Sequence, residues 1–322
     1  MMTDIARVRR TRRSARTVSW LGGLLAALVT AAVVSAAVVS AAGVRAAGVS
    51  AAPASAAPRH IRIAWGINQN LWDQFLEKVP RAHAVRVFYN SRNHIPVHWP
   101  AFLKSPWVTM SLRPMPGPLL SGKLDAKLRR LIRSAPKHSQ LTIWHEDAVG
   151  NNPLGYPSQL RDPARYIRMQ EHMERLVKGS NVRFGTIGCG AMLQAEKWFA
   201  PHLDWYGYDF YDNKRYWNKD GTLSRTKVWR RMNGNFAAFR AVSGERYPRI
   251  VIGEANSPRN SHRANWFTFV ARWFDTHDRR QPTRILTFWH ASSGLPQGGL
   301  SGPWPPSKAV IRRLAYLAKL YS

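Results

Sequence analysis

Beyond residue 58 the chain alternates short apolar runs with longer stretches whose apolar positions recur every three or four residues. The short runs are IRIAWGI (61–67), AVRVFYN (84–90), WVTMSL (107–112), LTIWHE (141–146), VRFGTIG (182–188), LDWYGYDFY (203–211), RIVIGEA (249–255) and RILTFWH (284–290). Bounded by polar and Gly/Pro-rich sequence, they read as strands. The stretches KLDAKLRRLIRSA, PARYIRMQEHMERLVKG, KVWRRMNGNFAAFRAVSG, ANWFTFVARWFDTHD and SKAVIRRLAYLAKLY read as helices. The second of them has its start marked, with Asp162 as N-cap and Pro163 at the first helical position. Strands alternating with helices indicate βαβ units and a parallel sheet. Eight such units fit about 265 residues, close to the ~250 that a closed barrel uses. The first strand is not followed by G-x-G-x-x-G, and no phosphate-binding P-loop is present, which removes the usual cues for an open nucleotide-binding sheet. The expected fold is therefore α/β, a (β/α)₈ TIM barrel forming a single domain over residues 58–322.

The first 57 residues differ from the rest. Arg7, Arg9, Arg10, Arg12, Arg13 and Arg16 precede an uncharged, Ala-rich run from Thr17 to Val44, and small-residue sequence follows up to Pro58. Basic, apolar and small-residue regions in that order predict a signal peptide. The apolar run is also long enough to serve as an N-terminal membrane anchor. Either reading sends residues 58–322 out of the cytoplasm, secreted or associated with the cell envelope. Cys189 is the single cysteine, so no internal disulfide supports the fold.

The net charge of +30 changes the picture of partners more than of fold. Such a field favours polyanions, among them anionic cell-wall polymers. The arginines are dispersed, however, and no nucleic-acid-binding module is recognisable, so no specific nucleic acid is expected.

The chemistry is carried by the strand ends. In (β/α)₈ barrels the site lies at the C-terminal ends of the strands. There the sequence delivers Trp65, Arg86, Tyr89, Arg113, Trp144, His145, Glu146, Asp147, Tyr206, Tyr208, Asp209, Tyr211, Glu254, Trp289 and His290. Two of the chain's few glutamates, Glu146 and Glu254, stand at the ends of apolar strands, where an unpaired carboxylate is too costly to serve as core filler. Opposed carboxylates at a barrel mouth suit glycoside hydrolysis, one protonating the leaving oxygen and the other attacking the anomeric carbon. Trp65, Trp144 and Trp289 could stack on sugar rings, whereas Trp198, Trp229, Trp266 and Trp273 on helical segments read as core. Arg86, central in its strand, could donate to Glu254, and Asp209 is a candidate substrate contact. His145, Glu146, Asp147 and His290 lack the H-E-x-x-H spacing of a metal site, so neither a metal nor another cofactor is expected.

Glutamates on the fourth and seventh strands are the signature of the clan A retaining glycoside hydrolases. WHE, with His145 before Glu146, resembles glycoside hydrolase family 26, the β-mannanases and related β-glycanases, and IVIGEA resembles the nucleophile strand of the same clan. The resemblance implies Glu146 as acid/base, Glu254 as nucleophile, Trp289 as sugar platform, and a strand-6 tyrosine, with Tyr208 favoured over Tyr206 and Tyr211, holding the nucleophile. It implies a β-linked polysaccharide or oligosaccharide as substrate. A non-catalytic barrel that binds glycan or anionic polymer at the envelope is the competing expectation.

Overall fold

The computed structural model describes residues 61–321, apart from 67–71, 83, 90–91, 93–94, 100–106, 146–161, 190–194, 258–259, 278–283 and 290–306. The N-terminal 60 residues, Glu146, Asp147, His290 and the Gly/Pro-rich loops after the fourth and eighth strands lie outside the described residues. So do the side chains of Trp65, Glu254 and Trp289.

Eight strands close into a barrel in sequence order: β1 (Ile61–Gly66), β2 (Ala84–Phe88), β3 (Trp107–Leu112), β4 (Ser139–Ile143), β5 (Val182–Cys189), β6 (Trp205–Tyr211), β7 (Ile250–Asn256) and β8 (Arg284–Trp289). Every pairing is parallel, including β1 with β8. The helices are α1 (Trp72–Lys78), α2 (Pro116–Leu120), α3 (Asp125–Arg133), α4 (Pro163–Val177), α5 (Ala195–Trp198), α6 (Arg225–Ser243), α7 (Asn260–His277) and α8 (Lys308–Tyr321). The expected (β/α)₈ barrel is thus what the chain forms. Asp162 caps α4 as expected, its side chain accepting from the Ala164 amide at 3.0 Å. Among the described residues no helix is long and apolar enough to cross a membrane.

The register sorts the strand residues into two layers. One face packs on the helices and carries most of the core, with Val85, Met110, Ile143, Phe184, Tyr206, Tyr208 and Ile252. Trp266 and Trp273 are fully buried there and Trp198 and Trp229 partly so, as their helical positions imply. The other face lines the barrel interior. At its lower end it is apolar, with Ala84, Ile187, Trp205, Val251 and Ile285 in one cluster. Towards the C-terminal ends it becomes polar, with Arg86, Ser111, Thr142, Asp209 and Thr287 all buried.

Candidate active site

The polar upper interior is organised by one ion pair. Arg86 on β2 and Asp209 on β6 are both 0% exposed, and Nη1 donates to Oδ1 at 3.2 Å. In an eight-stranded barrel these strands are diametrically opposed, so the pair spans the interior. Ser111 on β3 accepts from the same guanidinium, from Nε at 3.4 Å and Nη2 at 3.3 Å. The guanidinium carbon also lies 4.6 Å from the centroid of the Phe88 ring. A charge this deep persists only when paired and hydrogen-bonded.

Gly253 on β7 makes room for the pair. A Cβ at that position would stand 2.5 Å from Asp209 Oδ1, 2.7 Å from Arg86 Nη1 and 2.8 Å from Ile187 Cδ1. The same glycine lies in a β-bulge. Tyr208 pairs with Ile252, but the next residue, Asp209, pairs with Glu254. The partner strand β8 shows the same extra residue, since Ile252 pairs with Leu286 and Ala255 with Phe288. Simple alternation would leave Glu254 in phase with Ile250 and Ile252 of the helix-facing layer. The bulge moves it into register with Asp209. Bulges are a common means of re-aiming a strand residue beside a site.

The end of β4 is held just as firmly. Tyr166 of α4 donates its hydroxyl to the carbonyl of Ile143 at 2.9 Å and approaches that of Trp144 at 3.3 Å. Trp144 has φ +44°, an uncommon conformation for a bulky residue. Its indole Nε1 donates to Pro114 O at 2.6 Å, and its amide donates to Leu112 O at 2.9 Å. His145 follows, 5% exposed, its ring 5.1 Å from that of Phe88 in an edge-on arrangement. Burial holds the His145 pKa well below the ordinary imidazole value, and the Arg86 and Arg113 charges add to the shift. The imidazole is therefore neutral at neutral pH.

That shift fixes the sign of a stability effect. The unfolded chain takes up a proton at His145 near the ordinary value of about 6.5, whereas the folded chain resists it to lower pH. The cost is absent above that value and grows as pH falls below it, levelling off only under the folded-state pKa. Denaturant titrations are expected to show stability falling between about pH 7 and pH 5, with His145→Gln removing part of the slope. A slope unchanged by the substitution would contradict the assignment.

Three expectations are corrected at this point. Trp144 is not a sugar platform: it is 0% exposed, with the Arg92 and Arg113 guanidiniums 6.0 and 5.8 Å from its ring. It serves as the buried anchor of the β4 end. Tyr208 does not face the site. It belongs to the helix-facing layer, 5.9 Å from Phe239 of α6 and 5.6 Å from Phe210, and burial raises its pKa well above the usual phenol value. Tyr206 lies in the same layer, stacked 5.6 Å from Phe239. Of the three strand-6 tyrosines, the half-buried Tyr211 is the one that continues the register of Asp209, paired with Asn256. Asp209 itself is no exposed substrate contact but the buried partner of Arg86. Trp65 and Trp289 take their places on β1 and β8, Trp289 in register with Gly66 and Trp65 with Phe288.

Phe88, Ser111, Tyr166 and Gly253 are the site residues that sequence reasoning passed over. Ser111 and Gly253 left a signal, a small polar residue and a glycine inside otherwise apolar strands. Among the described residues no group of three or more His, Cys, Asp or Glu could hold a metal ion.

No protein-family model matches the chain, and no curated protein matches it. Solved structures do resemble its fold. The β-glucuronidase of Ruminococcus gnavus aligns with a TM-score of 0.50 at 11% identity, over 81% of this chain and 50% of that one, so this chain corresponds to about half of that protein. A GH5-4 broad-specificity endoglucanase from Clostridium acetobutylicum aligns at 0.48 and 11% identity, over 81% and 97% of the two chains. A GH5 xyloglucan-specific endo-β-1,4-glucanase from a metagenomic library aligns at 0.49 and 12%, over 77% and 88%. These neighbours are glycoside hydrolases with a barrel fold, and at such identity the likeness is one of fold.

Proposed function

We propose that the chain is an exported retaining glycoside hydrolase acting on a β-linked glycan, with Glu254 as nucleophile and Glu146 as acid/base. The observation that supports this reading is the β7 bulge, which brings Glu254 into register with Asp209, the buried partner of Arg86. A bulge, a space-making glycine and a cross-barrel ion pair at one strand end are costly features that a purely structural glutamate does not require.

In the first step the Glu254 carboxylate attacks the anomeric carbon. The glycosidic bond breaks as Glu146 gives its proton to the departing oxygen, leaving a glycosyl ester on Glu254. In the second step Glu146, now ionised, takes a proton from water. The water oxygen displaces Glu254, and both carboxyls return to their starting states. A proton donor needs a raised pKa, and the neighbouring His145 is suited to that. Held neutral, it adds no positive charge that would ionise Glu146 early. Tyr211 takes over the part of the nucleophile-holding tyrosine. The His145–Glu146 pair favours a family 26-like β-glycanase among glycosidases, with Trp289 as sugar platform and residues 1–57 as the export signal or anchor.

The test is covalent trapping. Incubation with a panel of 2-fluoro-β-glycosides that carry good leaving groups should add the mass of one glycosyl unit to the peptide containing Glu254. Absence of any adduct, together with absence of turnover across β-linked glucans, mannans and xylans, would remove the reading in favour of a glycan-binding barrel.

A further inference from the structure

The opposite end of the barrel holds a cavity that the proposed reaction does not use. It has a volume of about 400 Å³ and is built from the N-terminal ends of the strands. Trp107 opens β3, His138 immediately precedes β4, Arg183 is the second residue of β5, Trp205 opens β6, and Arg249 immediately precedes β7. Trp205 forms the floor. Its indole lies across β5 where Gly185 has no side chain, since a Cβ there would stand 2.2 Å from Trp205 Cδ2. This indole is buried to 1% exposure and packs in the apolar cluster of the lower interior.

The wall is aromatic and the rim cationic. His138 stacks on Trp107, centroids 4.3 Å apart and planes inclined by 22°. It does so from φ +64°, a left-handed conformation that costs a histidine free energy and is found disproportionately at binding sites. The outer side of the pair is reachable, because His138 is exposed and Trp107 half-buried. Lys137, Arg183 and Arg249 bring three cationic side chains to the same cavity. Arg183 is steadied by Asp204, Nη1 to Oδ1 at 3.1 Å, and Asp204 in turn accepts the Phe184 amide at 2.9 Å. Lys137 and Arg249 have no carboxylate partner among the described residues. Ser180 and Asn181 add neutral hydrogen-bonding groups at the edge.

We infer that this cavity binds an anionic sugar, its ring against the His138–Trp107 stack and its carboxylate or phosphate between Lys137, Arg183 and Arg249. Flat apolar ring faces pack on aromatic surfaces, and guanidinium groups recognise carboxylate and phosphate through paired donors. The cavity is large enough for one or two sugar rings. Lying at the other end of the barrel, it would let the protein hold an acidic envelope polymer without obstructing the mouth. This inference is independent of the proposed hydrolysis.

Calorimetric titration of the full chain tests it, at about 0.15 M salt so that diffuse attraction to the positive protein is screened. The probes are a glucuronic acid disaccharide, glucose 6-phosphate and, as the neutral control, cellobiose. At least one anionic probe is expected to bind, and whichever binds more tightly identifies the group the cavity prefers. Lys137→Ala/Arg249→Ala, a change at exposed positions, should weaken that binding about tenfold or more, while the equally charged change Lys308→Ala/Arg312→Ala on α8 should alter it less than about twofold. Equal losses in the two double variants, binding of neither anion, or equally tight binding of cellobiose in a Lys137/Arg249-dependent manner would overturn the inference.

Discussion

Glu254→Gln should abolish turnover of every β-glycoside that the wild-type protein cleaves, whereas Glu146→Gln should spare substrates that need no proton. The asymmetry follows from the two roles proposed for these glutamates. Without the Glu254 carboxylate the covalent step has no attacking group, so both natural glycans and activated aryl glycosides should lose on the order of 10⁴-fold or more in kcat. Without the Glu146 proton, a natural glycan whose leaving oxygen is a poor leaving group should lose about 10²–10⁴-fold. A dinitrophenyl glycoside needs little protonation, so its first step survives. The glycosyl ester on Glu254 then accumulates because no base activates water, giving a burst followed by a slow steady state. Added azide, which requires no general base, should restore turnover of the Glu146 variant and leave the Glu254 variant silent. Thermal unfolding of both variants should stay near that of the parent. Two variants with identical profiles on activated and natural substrates would mean that the roles are misassigned. Retained activity in both would mean that neither glutamate is catalytic.

The barrel is more legible in the sequence than the site is, and the reasons are physical. The strand WVTMSL matches β3 residue for residue because its flanks are unambiguous, and the barrel follows from eight such strands alternating with helices. The two faces of a buried strand are harder to tell apart. WYGYDFY carries aromatic residues on both, so alternation alone does not say whether Tyr208 or Asp209 points inward. The structure decides through crowding: Gly207 is small because a Cβ there would meet the Val251 carbonyl at 2.9 Å and Ile187 Cγ1 at 3.0 Å, which places it and its alternates Trp205 and Asp209 inside.

IVIGEA misleads in a different way. Its apolar run continues smoothly through the glycine, yet one inserted residue exchanges the faces of everything that follows. Only the glycine within the strand hints at it. Trp144 was legible as a strand-end aromatic, but its left-handed backbone, and hence its turn into the core, depends on contacts to Pro114 and Tyr166 that are distant in sequence.

The charge pattern acquires a similar resolution. A net +30 speaks only of association. Within the barrel, though, the arginines fall into distinct environments. Arg86 is neutralised internally by Asp209, Arg113 lies over the Trp144 ring, and Arg249 stands exposed at the far end beside an aromatic wall. The first organises the mouth, the second helps hold the β4 end, and the last is the kind of group through which a basic surface becomes selective.

Gly253→Ala should be strongly damaging for a change of a single methyl group. The added Cβ would lie 2.5 Å from Asp209 Oδ1 and 2.7 Å from Arg86 Nη1. Neither group can retreat easily. Both are fully buried, Arg86 is also tethered to Ser111, and Ile187 Cδ1 closes the third side at 2.8 Å. Either the ion pair separates, leaving each charge poorly compensated, or β7 moves away and carries Glu254 with it. Breaking a buried pair costs about 3–5 kcal/mol. For a domain of this size each kcal/mol shifts Tm by about 2–4 °C, so the expected loss is about 6–20 °C. Removing the obstacle should remove the penalty: in an Arg86→Met/Asp209→Ala background the same methyl group should cost much less, a coupling that a double-mutant cycle measures directly. Gly234→Ala provides the opposing control. That glycine lies within α6, where an added methyl group would meet nothing within 4 Å, so relief of backbone entropy should stabilise the helix by about 0.5–1 kcal/mol. If Gly253→Ala unfolded at the parent temperature, the cross-barrel pair would not be the rigid support on which the placement of Glu254 rests.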